Sequence, residues 1–218
     1  MKTNYNMYLY ENKYKKLGKK VIAGLDEAGR GPMAGPLVVA MVILNPRCKI
    51  EGLNDSKQLS EKKREALYQE IMAKAKEVQV EVISVSDVDE MNVYRASQIG
   101  MLNCLSKAKS KIDFVLSDAM PLGDKWEHEA IIKGDAKSAT IAAASIVAKV
   151  TRDHIMYDLA KKYPEYHFEK HKGYVTKLHL EAINKYGVCE IHRKSFAPVQ
   201  EVIKKKTTSK WWLLTCGF

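Results

Sequence analysis

The chain has 218 residues, 46% hydrophobic and 28% charged, and 36 Lys and Arg against 26 Asp and Glu give it a net charge of +10. That length buries a core without disulfides, and the composition excludes a disordered or fibrous protein. The longest apolar run, Pro36 to Leu44, falls far short of the ~20 residues that cross a bilayer, so a membrane protein is excluded too. Residues 1–20 form a Lys- and Tyr-rich lead-in with no clear period and no signal-peptide pattern. Val21 to Asp26 is apolar and β-branched, predicts a strand, and runs into the glycine-rich stretch AGRGPMAGP. Pro36 to Leu44 predicts a second strand buried on both faces. Ser60 to Lys76 has the period of an amphipathic helix, Val78 to Val85 alternates as a half-buried strand, and Asn92 to Ala108 is again helical. Phe114 to Ser117 and Ala130 to Lys133 are short strands. Ser138 to Lys162 is a long helix whose first half, ATIAAASIVA, is almost all small, and Val175 to Tyr186 is a further helix. Strands early and helices late give an α/β mixed sheet followed by a helical C-terminal part, with 1–20 as lead-in, 21–200 as one compact unit and 201–218 as a basic, aromatic tail.

The four cysteines, Cys48, Cys104, Cys189 and Cys216, show no CxxC pair, which argues against a zinc ribbon and fits a reducing, cytoplasmic compartment. From Lys137 onward there are 15 basic and 7 acidic residues, so the surplus charge sits mostly in the C-terminal third. A polyanionic partner follows from that asymmetry, beside the plainer reading of a soluble protein that is merely basic.

Several acids stand where apolar segments end: Asp26 and Glu27 after VIAGL, Asp118 after FVLS, and Asp135 after IIKG. Carboxylates delivered by separate segments to one sheet edge repel one another unless cations neutralise them, and hard oxygen ligands suit Mg²⁺ or Mn²⁺. Each acid also has a structural reading. Asp135 can cap or favour the helix that begins near Ser138, and Asp118 can be a turn residue before Pro121. Asp26 and Glu27 are adjacent and point to opposite faces of a strand, so both serve one site only if the strand breaks at the glycine-rich turn. The Gly29, Gly31 and Gly35 spacing is no dinucleotide fingerprint, because a strand follows; Gly29-Arg30-Gly31 reads as a tight connection able to approach a sugar-phosphate backbone.

The stretches GLDEAGRGPMAGPLVVA, LNDSKQLS, IKGDAKSATIAAASIVAKVTRD, HKGYVTKLHLEAI and HRKSFAPV, in that order from Val21 to Val199, resemble ribonuclease HII, the type 2 ribonuclease H family. The resemblance implies a ribonuclease H-like mixed sheet flanked by helices. It implies a catalytic, metal-holding quartet at Asp26, Glu27, Asp118 and Asp135, a substrate-binding Gly29-Arg30-Gly31 element, and a substrate-sensing Tyr174. An Asp as fourth acid and the short N-terminus favour the HII over the HIII branch. Ala119 departs from the glycine common after the third acid.

The implied reaction is metal-dependent hydrolysis of the RNA strand of RNA–DNA hybrids, including cutting 5′ of a single ribonucleotide embedded in duplex DNA, leaving 3′-hydroxyl and 5′-phosphate ends. Two ions about 4 Å apart would activate water and stabilise the leaving oxygen, so no histidine needs a catalytic part, and the His167/His171 spacing is a poor metal pair. Lys57 and Lys137 are expected on phosphates, beside a plain solvated reading for each. Tyr174 is expected to sense the deoxyribose after the ribonucleotide, beside a reading as a core tyrosine. Two rival functions are a related ribonuclease H-fold DNA-repair endonuclease and a non-catalytic hybrid-binding module; the Gly-Arg-Gly and KGY segments argue against the first and the complete quartet against the second. The protein is read as a monomer. Trp211, Trp212, Leu213, Leu214 and Phe218 in the tail either pack on the domain or dock an unidentified protein partner.

Overall fold

A computed structural model describes residues 6–205, and the aromatic tail with its two readings lies outside the described residues. Five strands form one sheet in the order β3-β2-β1-β4-β5. β1 (Ile22–Ala28) pairs antiparallel with β2 (Leu37–Ile43) and parallel with β4 (Phe114–Asp118). β3 (Glu77–Ile83) extends the antiparallel side and β5 (His128–Ile131) the parallel side. β2 is buried at every position, as its unbroken apolar run predicts, while β3 is half-buried.

Helices cover both faces. On one lies α5 (Ala139–Lys162), capped by Ser138, whose hydroxyl accepts from the Ile141 N–H at 3.3 Å. Its alanines let it settle directly on β1: a Cβ on Gly24 would overlap the Thr140 carbonyl. On the other face lies α4 (Val93–Ser106), and a Cβ on its Gly100 would stand 2.6 Å from Cγ2 of Val39. The helix expected from Asn92 to Ala108 is α4, whose cap is Asn92: it takes a left-handed φ of 67° and its side chain accepts from the Tyr94 and Arg95 N–H groups, while a further short helix, α3 (Val85–Met91), precedes it. α2 (Glu61–Lys74) follows its Ser60 cap and packs beside α5.

The lead-in, whose sequence shows no clear period, carries α1 (Leu9–Lys16). Its period is weak because only two side chains are buried: Tyr14 stacks on Phe114 at 3.7 Å, and Glu11 accepts from Ser138, Thr140 Oγ1 and the Thr140 N–H at the start of α5. After α5 the chain forms short α6 (Phe168–His171), α7 (Lys177–Tyr186) and a helical stretch over 197–205, joined by a separate cluster that includes Phe168, Ile183, Val199 and Val202. Among the described residues, no helix is long and apolar enough to cross a membrane.

Candidate active site

β1 and β4 are parallel neighbours, and Leu25 lies opposite Ser117, so Asp26 and Asp118 follow at the same level of the same face. Asp135 arrives from the tight turn Gly134–Ala136 after β5, entered through a left-handed Lys133. The Gly134 N–H donates to Asp118 Oδ1 at 2.7 Å and ties that turn to the end of β4. One carboxylate oxygen from each of Asp26, Asp118 and Asp135 lies within 4.8 Å of the others. The cap of α5 is Ser138, so Asp135 is not the helix cap its position allowed. Ala119, next to Asp118, has a φ of +51°, a conformation in which glycine is unstrained; its methyl is tolerated at a backbone cost of about 1 kcal/mol.

Glu27 departs from the expected geometry. β1 does not break before it but continues through Ala28, so alternation sends Glu27, opposite Val39, to the α4 side while Asp26, opposite Ala40, faces α5. Glu27 stands outside the three-acid cluster, with Oε1 taking Arg30 Nη1 at 3.3 Å. Its Oε2 is buried with no hydrogen-bond partner.

Burial, reinforced by Glu27 and Asp118, raises the Asp26 carboxyl well above the ordinary carboxylate range. Burial, Asp118 and Asp55 push Asp135 up to about 6. Burial raises Glu27 as well, against the pull of Arg30. Lys57 shows the converse: burial opposes its charge, but Asp135, Asp26 and Asp55 outweigh that and raise it. Asp26, Asp118 and Asp135 form an all-oxygen donor set that a hard divalent cation fits, and the orphaned Glu27 oxygen belongs to a residue lining the adjoining cleft.

A cleft of about 310 Å³ adjoins the acids, lined by Asp26, Glu27, Gly29, Arg30, Gly31, Lys57 and Tyr174 among others. Gly29 has a φ of +106° and a Cβ there would overlap Arg152, so only glycine makes this turn. Arg30 and Gly31 are exposed, and a Cβ on Gly31 would stand 3.5 Å from Cε1 of Tyr174. Tyr174 is 43% exposed, unlike a core tyrosine. Lys137 is half-buried behind the Asp135 turn and does not line the cleft. Two other hollows, of about 360 and 580 Å³, lie around α1 and the 44–53 segment and hold none of the acids.

Sequence reasoning missed several residues here. Ser56 and Ser145 share a 2.9 Å hydrogen bond beside Asp26, and Lys149 and Arg152 line the cleft from α5. Arg152 is 1% exposed and donates to Ala34, Pro36 and Lys172 carbonyls at 2.9–3.0 Å. Arg193, fully buried, donates to Gly35 and Arg30 carbonyls. Their one sequence signal was a charged residue inside an otherwise apolar or motif-rich stretch.

The family model for Ribonuclease HII matches residues 23–199. The chain belongs to the ribonuclease HII family. Ribonuclease HII of Bacillus cytotoxicus is 54% identical over 200 residues, covering 92% of this chain and 77% of that protein. The crystal structure of ribonuclease H2 from Pyrococcus horikoshii superposes with a TM-score of 0.73 at 27% identity, over 85% of this chain and 98% of that one. The ribonuclease HII that is bound to PCNA in an Archaeoglobus fulgidus complex gives 0.63 at 28% identity, over 80% and 94%. The five-stranded mixed sheet is thus the ribonuclease H fold, and the protein is a ribonuclease H, an endonuclease acting on the RNA of RNA–DNA hybrids.

Proposed function

We propose that the cleft cuts the RNA strand of hybrids and also cuts 5′ of a single ribonucleotide embedded in duplex DNA, leaving 3′-hydroxyl and 5′-phosphate ends. The observation that carries this reading is the convergence of Asp26, Asp118 and Asp135 within 4.8 Å beside a cleft walled by Gly29-Arg30-Gly31 and Tyr174. Asp26, Asp118 and Asp135 would hold Mg²⁺ or Mn²⁺, and Glu27, outside that cluster but lining the same cleft with a buried oxygen that has no partner, is proposed as the fourth acid of the set. Bound there, such ions supply a Lewis acid that activates water and stabilises the departing 3′-oxygen.

The chain's own residues do the rest. The exposed Gly29–Gly31 turn brings backbone against the sugar, where a 2′-hydroxyl can donate and accept. Tyr174, beside Gly31, presents a ring to the following deoxyribose and so favours an RNA-to-DNA junction. Lys57, held near the acids, neutralises a phosphate; Lys137, outside the cleft lining, contributes at most a peripheral phosphate contact. The working unit is proposed to be a cytoplasmic monomer, consistent with the free Cys48, Cys104 and Cys189. The test is digestion of an end-labelled DNA duplex carrying one ribonucleotide, with Mg²⁺, with Mn²⁺ and with chelator. One metal-dependent cut 5′ of the ribonucleotide is expected; cutting elsewhere, or undiminished cutting in chelator, contradicts the reading.

A further inference from the structure

Half exposed, the Tyr174 side chain has too little packing to fix its own direction. It follows two left-handed residues, Lys172 at φ 50° and Gly173 at φ 84°, so its backbone must be held from behind. Both of its backbone groups go to a cluster of buried histidines that the reaction does not use. The Tyr174 N–H donates to the His171 carbonyl at 2.9 Å, and the Tyr174 carbonyl lies 2.9 Å from His179 Nδ1. His171 stacks on His179 with ring centres 4.2 Å apart, and His179 Nε2 lies 3.1 Å from His192 Nε2. All three are at most 8% exposed.

The neighbours dictate each tautomer. His192 Nδ1 faces the Cys189 N–H at 3.0 Å, nearer than the Cys189 Sγ at 3.1 Å and the Cys189 carbonyl at 3.3 Å, and it accepts. This puts the proton on His192 Nε2, as the Tyr174 carbonyl requires by demanding a donor from His179 Nδ1. That proton points at His179 Nε2, which must accept, leaving the His179 proton on Nδ1 for the Tyr174 carbonyl. His171 accepts the Gly173 N–H on Nδ1 and donates from Nε2 to the Tyr166 carbonyl. A one-directional relay therefore runs from the Cys189 N–H through two neutral imidazoles and ends on Tyr174. Burial keeps the rings neutral: it lowers His179 to about 3 and His192 to about 4.

We infer that His179, oriented by His192, is a positioning residue that aims Tyr174 at the substrate sugar and thereby sets the preference for an RNA-to-DNA junction. The inference rests on the proposed role of Tyr174. The same turn is bound to the opposite wall of the cleft, since the Gly173 carbonyl accepts the Met33 N–H at 3.0 Å and Arg152 bridges Lys172 to Ala34 and Pro36. A lost donor at His179 would thus free the Tyr174 peptide while the framework on both sides stays in place.

An asparagine amide places its N–H where imidazole Nδ1 stands, and a glutamine amide where Nε2 stands. His179→Asn should keep the donor to Tyr174, and His179→Gln should lose it. The measurement is kcat and KM of the full chain on a single-ribonucleotide duplex and on a continuous hybrid, with Tyr174→Ala alongside and melting temperatures for every variant. His179→Gln is expected to lower the single-ribonucleotide to continuous-hybrid ratio of kcat/KM by about tenfold, the worth of one buried hydrogen bond. His179→Asn is expected to stay within about twofold of the parent ratio, since that bond is retained. Equal effects of both variants on the ratio, or none from His179→Gln, overturn the inference. An unchanged ratio in Tyr174→Ala overturns the reading of Tyr174 itself, and the histidine variants then separate the two failures. If both His179 variants unfold, His192→Gln, which keeps the donor to His179, against His192→Asn, which loses it, reads the same relay one step back; equal ratios there overturn it.

Discussion

The carboxyl of Asp135, pushed up to about 6 by burial, Asp118 and Asp55, sets a sign for stability. In the unfolded chain it releases its proton near 3.8, and in the folded metal-free protein only near 6. Between those values the unfolded state binds fewer protons, so this group's contribution to stability is present below 3.8 and is lost as pH rises through 6. Asp135→Asn removes the titration. In chelator at pH 7 the variant is expected to be more stable by about 1–3 kcal/mol, and the gain should shrink toward zero near pH 4. Thermal unfolding across that range checks this, and a variant less stable than the parent at pH 7 contradicts it. The acids were legible because a charge ending an apolar run is conspicuous. Asp55, Ser145 and Arg152 were not, since their partners are brought to them only by folding. Glu27 lay between: its identity could be read, but its side of the strand depended on how far β1 runs.

α5 can serve the site only because it lies against β1, carrying Ser145, Lys149 and Arg152 to the cleft behind the Asp135 turn. Gly24 sets that distance, and a methyl there would overlap the Thr140 backbone, which cannot swing away as a side chain could. Gly24→Ala is expected to cost about 1–3 kcal/mol by overpacking, lowering the melting temperature together with cleavage of both substrates. An unchanged melting temperature contradicts this account of the helix–sheet contact. β1, β2, β3 and the long helices were legible because their period or apolar run persists over many residues, whereas the four-residue β5 (His128–Ile131) was expected two residues later, at Ala130 to Lys133. α1 and α3 were not: each is short, with one or two buried side chains, so tertiary contacts rather than pattern define them. The start of α4 was legible at Asn92, the left-handed residue that caps it.

Across the molecule, the cationic surplus lies in the C-terminal third of the sequence, and Lys149 and Arg152 from that third join Arg30 and Lys57 in lining a cleft that also holds Asp26 and Glu27, an arrangement that draws in a polyanion yet needs cations at its centre. Hybrid affinity should fall with salt, and Lys57→Ala should reduce the slope of log affinity against log salt by about 1 if that ammonium meets a phosphate. An unchanged slope returns Lys57 to the solvated surface. Folding brings acids from β1, β4 and the turn after β5 to one point, a convergence that the linear sequence could suggest but not locate. The most direct test of that point as the catalytic centre is Asp118→Asn, which keeps the side chain's size and removes its charge. Single-turnover cleavage of a hybrid in Mg²⁺, measured beside hybrid binding in chelator, should show cleavage abolished and binding within about twofold of the parent, because phosphate contacts dominate affinity. Near-normal cleavage by Asp118→Asn would contradict the account.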